Sequence, residues 1–402
     1  MQEKRRPQKW LWVISLILVT NAMTFVLTAM GVWHLPKRYV ISASSRRTAH
    51  DAEKFATLES AIQDRYYQNI TLNKVSTSAY RAMFKAVGDR YSEYYSKSQM
   101  KEMNQSISGT YVGIGIAVTE DSARNAIIAT VFKNSPAANA DLKIGDKILS
   151  VNGHSMAGKG TAAVVSKIKG KSGTKVMVGI ERDGEKKDLT LVRRAITTQT
   201  VSSRVISRNN RKIGYIAIAE FTEKTSREFN TQLKALRTQQ IDGLVIDLRW
   251  NGGGIVDSAV KVADNIVGRG EVVYTVDKNG HREDYRATSQ EHFDQPVALL
   301  VNGYSASASE ILAGALQDTK KASLVGSKTF GKGIVQEVVP LLDGSGYKLT
   351  IAQYFTPKGR NIHKKGLAPD YVVKQSKAYQ NVVIVPERQD LQLQKALEVV
   401  AR

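Results

Sequence analysis

Residues 10–33 carry no charged side chain, whereas the rest of the chain breaks into short apolar runs between charged stretches. As a helix, this first run would reach roughly 36 Å at 1.5 Å per residue, enough to cross a hydrocarbon core of about 30 Å. Trp10, Trp12 and Trp33 stand at its ends, where indole rings favour a membrane interface. Lys4, Arg5, Arg6 and Lys9 precede it, and Lys37, Arg38, Arg46 and Arg47 follow, so the flanking charges leave the orientation open. The run predicts an uncleaved single-pass anchor. The alternative is a signal peptide cleaved near Ala29-Met30-Gly31, but such a peptide has an apolar region of about 7–15 residues.

Residues 34–50 are basic and Ser-rich and read as a linker. Helical spacing follows over 51–105, through Phe55, Leu58 and Ile62, then Val75, Tyr80, Phe84 and Val87, with Gly88-Asp89 stopping the second helix. From 109 the period changes. Tyr111 to Val118 predicts one strand, with glycines where backbone comes close, and Asn125 to Phe132 a second. Ser135-Pro136 opens a short helix as N-cap and first helical residue. Leu142 to Gly153 reads as turn, strand and tight turn, Thr161 to Ile168 as a helix, and 176–180 and 189–192 as strands.

Further on, Leu244 to Leu248 and Val297 to Val301 are continuous apolar runs, the pattern of strands buried on both faces of an α/β sheet. The first run leads through Trp250-Asn251-Gly252-Gly253-Gly254 into a helix over 256–267. The second leads through Asn302 to Ser309 into an alanine-rich helix over 311–316. A glycine turn between strand and helix exposes backbone N–H groups suited to a developing negative charge. Ser305, Ser307 and Ser309 alternate at the second corner, and the sequence alone leaves the nucleophile among them open; Ser309 with Glu310 looks like helix capping. Gly326 to Lys332 fits a phosphate loop, Gly-x-x-x-x-Gly-Lys, but Gly333 stands where a magnesium-binding Ser or Thr is needed. A strand, Ile334 to Val339, follows instead of a helix. A lysine between two glycines and apolar strands is either a surface turn residue or a buried amine with a lowered pKa, able to accept a proton.

Composition narrows the chemistry. At 402 residues the chain is long enough for two or three domains of about 150 residues. It has no cysteine, which excludes a disulfide scaffold, a zinc–cysteine site, an iron–sulfur cluster and a cysteine nucleophile. No His-Glu-x-x-His is present, and the six histidines lie outside the glycine, serine and lysine motifs. No metal or other cofactor is expected. The formal charge of +21 points to an anionic neighbour. With no nucleic-acid module or phosphate loop to claim it, lipid headgroups or cell-wall polymers are favoured and nucleic acid is not expected.

Residues 106–194 resemble a PDZ domain of the bacterial protease type. The matching text is Tyr-Val-Gly-Ile-Gly-Ile at 111–116, Ser-Pro-Ala-x-x-Ala-x-Leu at 135–142, and Ile-Gly-Asp-x-Ile-Leu-Ser-Val-Asn-Gly at 144–153. Asp141 stands where that family has glycine at a helix end, and Asp tolerates the left-handed conformation there. Such a domain implies capture of a C-terminal carboxylate by strand addition, with Ile114, Gly115, Ile116 and Val164 lining the groove.

The whole pattern resembles the C-terminal processing peptidases, or tail-specific proteases, over about residues 55–400. The motifs are Asp-Leu-Arg-x-Asn-x-Gly-Gly at 247–254, Ser-Ala-Ser-Ala-Ser-Glu at 305–310, Val-Gly-x-Lys-Thr-Phe-Gly-Lys-Gly-x-Val-Gln at 325–336, and Tyr-Phe-Thr-Pro-Lys-Gly-Arg at 354–360. The resemblance implies an α/β (α+β) multidomain serine endopeptidase with a crotonase-like core. By position, Ser307 corresponds to the nucleophile, Lys332 to the general base and Gln336 to the residue orienting that lysine. The backbone N–H groups of Gly253 and Ala308 correspond to the oxyanion hole. Gly252 and Arg90 stand where the family usually has proline. The expected layout is a tail over 1–9, an anchor over 10–33 and a linker over 34–50. A helical region over 51–105, a PDZ domain over 106–194, a protease core over 195–375 and a helical arm over 376–402 complete it. The expected enzyme is membrane-anchored, with its catalytic domain outside the cell membrane, and cleaves proteins near apolar C-termini. The 51–105 and terminal helical segments resemble dimerising arms, although their spacing also fits simple packing. Two rivals are a non-catalytic PDZ adaptor with an inactive protease-like domain, and acyl-transfer or hydratase chemistry on a related fold.

Overall fold

The computed structural model describes residues 46–401, apart from 133, 290, 291, 381 and 384. The expected anchor over 10–33 therefore lies outside the described residues. Among those that are described, no helix is long and apolar enough to cross a membrane. The chain divides into two compact units, residues 1–80 and 81–402.

In the first unit the helix Arg46–Arg65 is followed by the start of the helix Leu72–Ala86. Phe55 and Tyr80 stack with ring centroids 6.1 Å apart, and the Ser76 hydroxyl donates to the Glu59 carboxylate. Leu58, Ile62 and Tyr80 remain exposed.

The second unit holds separate cores. One fills residues 114–191 with Ile114, Ile128, Ile148, Val164, Val178 and Ile180, all almost wholly buried. Its antiparallel strands run in the order Ile116–Glu120, Ala126–Val131, Lys147–Val151, Lys175–Arg182 and Glu185–Val192. The strand Ile116–Glu120 is an edge, with the helix Gly160–Ile168 packed beside it. The single strand expected over Tyr111 to Val118 is broken. Thr110–Gly113 pairs instead with Arg194–Thr197, and Ile116–Glu120 joins the larger sheet. Gly115 sits at φ +83° at the break, against Ser135, where a side chain would collide. Ser135 caps the helix Pro136–Asn139 by accepting the Ala138 N–H, and Asp141 adopts φ +58°, the left-handed turn expected of it.

The main sheet runs Val201–Arg208, Arg211–Ile218, Gly243–Asp247, Val297–Val301, Ser323–Gly326, Tyr371–Val372. Its first pair is antiparallel and the rest parallel. The apolar runs alternate faces, as the two-residue period of a strand demands. Leu244, Ile246, Leu299 and Val301 enter one core under the helices Thr225–Arg237, Val256–Val267 and Ala308–Asp318. Val245, Ala298 and Leu300 enter another, covered by Leu393, Ala396, Leu397 and Val400 of the helix Leu391–Val400. That helix is therefore packed into the fold and is not a free arm, because its apolar stripe covers the second face of the sheet. A second sheet joins Glu93–Tyr95, Gly270–Asp277, Arg282–Ala287, Ile334–Pro340 and Gly346–Phe355. Its hairpin Ile334–Pro340 with Gly346–Phe355 carries the segment that follows Lys332.

Candidate active site

Two strand-to-helix corners of the parallel sheet meet. After Gly243–Asp247 the chain turns through Trp250 at φ +65°, and after Val297–Val301 it turns through 302–307. The side-chain oxygen of Asn302 accepts the N–H groups of Trp250 (3.1 Å) and Tyr304 (3.0 Å). The carbonyl of fully buried Asn251 accepts the Ala306 N–H at 3.1 Å and the Ser309 hydroxyl at 2.9 Å.

Those bonds resolve the three alternating serines. Ser305 and Ser309 are both 0% exposed, and their hydroxyls donate to the Leu248 and Asn251 carbonyls at 2.8 and 2.9 Å. Ser309 is thus a bridge between corners, not the helix cap. Ser307 is the N-cap of Ala308–Asp318 and alone of the three reaches solvent. Its φ of +56° and ψ of −117° are foreign to an L-residue, a strain of order 1–3 kcal/mol that only surrounding structure sustains.

Glu310 supplies much of that structure. Its carboxylate is wholly buried and accepts the Ser307 N–H (2.9 Å), the Thr329 hydroxyl (2.6 Å), the Gly331 N–H (2.7 Å) and the Lys332 N–H (2.8 Å). Burial pushes its pKa above the ordinary glutamate value, although all four donors pull the other way. The sequence marked Glu310 only as a helix-start residue; its partners Thr329, Gly331 and Lys332 lie too far along the chain to be read locally. The same bonds explain the lapsed phosphate-loop pattern. The loop's N–H groups are already filled by an internal carboxylate, and the strand Ile334–Pro340 follows as expected.

Lys332 is half-buried. Burial lowers its pKa below the ordinary lysine value; Lys348 and Arg90 act in the same direction, and Asp89 opposes them. Its amine stands 4.9 Å from the centroid of the Tyr91 ring. It is not hydrogen-bonded to the Ser307 hydroxyl. Gln336, expected to orient the amine, instead donates its side-chain N–H to the Tyr91 carbonyl at 2.6 Å. The segment around Arg90, to which the sequence assigned no chemistry, thus borders the amine. His363 is another neighbour the sequence did not single out, although it follows closely on the motif at 354–360. Its backbone packs on Gly333, and its ring lines a cavity of ≈ 560 Å³ with Asp89, Tyr91, Phe330 and Gly331. Burial, then Lys364, lowers its pKa, with Asp89 opposing.

Ala308 opens the helix, so its N–H belongs to the set that a helix leaves without internal partners, at the positive end of the dipole. Gly253 lies against it: a side chain there would meet the Ala306 carbonyl, the Ser307 Cβ and the Ala308 nitrogen. The Gly253 N–H, however, donates to the Asn251 side-chain oxygen at 2.9 Å. It is engaged, and the expected pair of free donors is here a single one.

The expected peptide groove also changes. Ile114 (1% exposed) and Val164 (0%) belong to the core of their domain, as does Ile168. Ile114 falls at the strand break, where its side chain turns inward, and Val164 lies on the inner face of its helix. Ile116, on the edge strand, is only half-buried.

Comparison with known proteins places these features. Residues 212–373 match the model of "Peptidase family S41", and residues 112–192 match that of the PDZ domain. A Staphylococcus saprophyticus protein named "Probable CtpA-like serine protease" is 36% identical over 95% of this chain and 76% of its own length. The chain belongs to peptidase family S41. The "Carboxy-terminal processing protease CtpB" of Bacillus subtilis is also 36% identical, over 85% of this chain and 72% of that protein. The solved structure of a photosystem II D1 C-terminal processing protease covers 85% of this chain and 91% of its own, with 29% identity and a TM-score of 0.51. As an S41 member with a PDZ domain, the chain is a serine-type peptidase of mixed α/β, multidomain architecture.

Proposed function

We propose that this S41 peptidase cleaves proteins near apolar C-termini, with Ser307 as nucleophile and Lys332 as general base. One observation carries the reading. Of three equivalent-looking serines only Ser307 is open to solvent, and a buried carboxylate ties its backbone to that of a lysine whose pKa is lowered. The neutral Lys332 amine takes the Ser307 hydroxyl proton as Oγ bonds to the scissile carbonyl carbon. The oxyanion rests on the Ala308 N–H, joined by the Gly253 N–H once that group leaves Asn251. The C–N bond breaks, the protonated amine gives its proton to the leaving nitrogen, and water activated by Lys332 releases the acyl group. Gln336 orients the amine after exchanging its bond to Tyr91.

The substrate tail adds a strand to the free edge of Ile116–Glu120, beside the helix Gly160–Ile168, with half-buried Ile116 on its path. Residues 10–33 anchor the enzyme, and its basic surface faces anionic lipids or wall polymers.

The test compares the wild-type chain with Ser307→Ala and Lys332→Ala on a protein ending in apolar residues and on the same protein with an acidic tail. Cleavage of the first substrate alone, abolished in both variants, is expected. Tail binding without cleavage by wild type would instead establish an adaptor, and an active Ser307→Ala would displace the nucleophile.

A further inference from the structure

Tyr354 lies at the end of the strand Gly346–Phe355, antiparallel to the strand that follows Lys332. Its side chain is 1% exposed, one of the largest fully buried in the molecule. Its hydroxyl lies 3.0 Å from the Ser307 carbonyl oxygen and 2.5 Å from that of Lys332. Both acceptors are main-chain atoms of the two residues proposed to react, which are far apart in sequence. A phenol has one proton, so the two contacts share it as a three-centre bond, with the Lys332 carbonyl the nearer acceptor.

The bond gains meaning beside Glu310. The Glu310 carboxylate accepts the N–H groups of Ser307 and Lys332. Tyr354 donates to the C=O groups of the same two residues. Each residue is thus gripped on both flanking peptide groups, and the two grips share a pair of side chains. Ser307 needs this, because its backbone sits in a conformation that an L-residue leaves when released. Lys332 needs it for another reason. It is flanked by Gly331 and Gly333, whose permissive backbones do little to fix the direction of the segment between them. Ser307's carbonyl also receives the Glu310 and Ile311 N–H groups, so what Tyr354 adds there is a link across to the Lys332 carbonyl, beside the Glu310 link between the two N–H groups.

We propose that Tyr354 is a positioning residue for the peptidase reaction, its hydroxyl fixing the main chain of Lys332 against that of Ser307 so that amine and hydroxyl meet in register. The proposal rests on the Ser307–Lys332 reading of the site. The phenol remains protonated across the working pH range, because burial, and then the Glu310 charge, raise its pKa well above that of an ordinary tyrosine.

Tyr354→Phe removes one oxygen and keeps the ring. Tyr215→Phe is the control: it also removes a phenol oxygen, bonded at 2.7 Å to Asp247, and touches neither Ser307 nor Lys332. Four quantities are measured for each chain: kcat, KM, the pH dependence of kcat and the melting temperature. For Tyr354→Phe, kcat is expected to fall at least tenfold with KM unchanged. Its pH midpoint is expected to move upward, as a loosened Lys332 gains solvent and its pKa returns toward the ordinary value. Labelling of Ser307 by a fluorophosphonate is expected to slow in parallel, and Tyr215→Phe is expected to melt lower with kcat intact. Three results overturn the proposal: kcat within twofold of wild type, a loss matched by Tyr215→Phe with no movement of the pH midpoint, or a Tyr354→Phe chain that melts below assay temperature. If Ser307→Ala or Lys332→Ala remains active, the reading of the dyad fails instead, whatever Tyr354→Phe does.

Discussion

Gly253 and Gly252 are adjacent, chemically identical and predicted to respond in opposite ways to one added methyl. Gly253 sits at φ +101°, and a Cβ there would lie 2.6 Å from the Ala306 carbonyl oxygen, 2.8 Å from the Ser307 Cβ and 2.9 Å from the Ala308 nitrogen. None of these atoms can rotate away, since each is backbone or the first atom of a side chain. The methyl would also lie against the Ala308 nitrogen, beside the N–H proposed to hold the oxyanion. Strain at such a φ costs about 1–3 kcal/mol of stability. Loss of an oxyanion donor costs about 10²–10³ in kcat, or roughly 2.7–4 kcal/mol. Gly252, in contrast, has nothing within 4 Å of its would-be Cβ. Gly253→Ala is therefore expected to lower kcat about 10²–10³-fold, by the donor argument above, while the folded chain persists at assay temperature. Gly252→Ala is expected to leave kcat within about twofold, as an unhindered surface change should. Initial rates on a protein with an apolar tail, beside thermal melts, decide the matter. Wild-type turnover by Gly253→Ala would refute the placement of the oxyanion beside Ala308. An equal loss in Gly252→Ala would show that the whole turn, and not one position in it, controls the rate.

Three further outcomes are expected. Activity should rise with pH through the folded pKa of Lys332: a base acts when neutral, and burial sets that pKa below the ordinary lysine value. A rate profile that shows no rise with pH anywhere below the ordinary lysine range would contradict it. Arg249→Met should destabilise by about 3–5 kcal/mol, read as a lower urea midpoint, because it strands buried carboxylates; the guanidinium bonds Asp247 at 2.6 Å and Asp390 at 2.8 Å. In the PDZ domain, Ile114→Ala should cost about 2–4 kcal/mol as a core cavity, and Ile116→Ala should weaken binding of an apolar tail peptide more than it lowers the melting temperature.

What the sequence disclosed follows the range of the interactions. The buried strands, the helix over 256–267 and the left-handed turn at Asp141 depend on neighbours within a few residues, and all lie where the pattern put them. The serines did not separate on sequence because their neighbourhoods are alike; burial distinguishes them, and burial is set by the Leu248 and Asn251 carbonyls on another strand's corner. Arg249 reads locally as the charged end of a strand, yet its second carboxylate, Asp390, caps a helix at the far end of the chain. Glu310 and Tyr354 are similar cases, each acting on a segment that the fold alone brings near. Ile114 shows the opposite failure. The resemblance to a PDZ domain implied a groove residue, but the strand breaks at Gly115 and Ile114 packs into the core of its domain.

The contacts that keep the proposed reactants apart differ in kind from those that hold their backbones. The Lys332 amine over the Tyr91 ring, the Gln336 side chain on the Tyr91 carbonyl and the Gly253 N–H on Asn251 are each one weak or neutral contact. Such contacts are worth about 0.5–1.5 kcal/mol apiece, a few kcal/mol together. The Glu310 carboxylate, by comparison, accepts four donors in a buried site, and bonds to a charged acceptor contribute about 1.5–3 kcal/mol each. A peptide that binds with micromolar affinity gains about 8 kcal/mol, more than the first set is worth and comparable with the roughly 6–12 kcal/mol of the second, so the first set is the one exchanged. On the mechanism proposed above, completing the site takes two side-chain rotations and one peptide turn at a glycine, with the backbones of Ser307 and Lys332 staying in place.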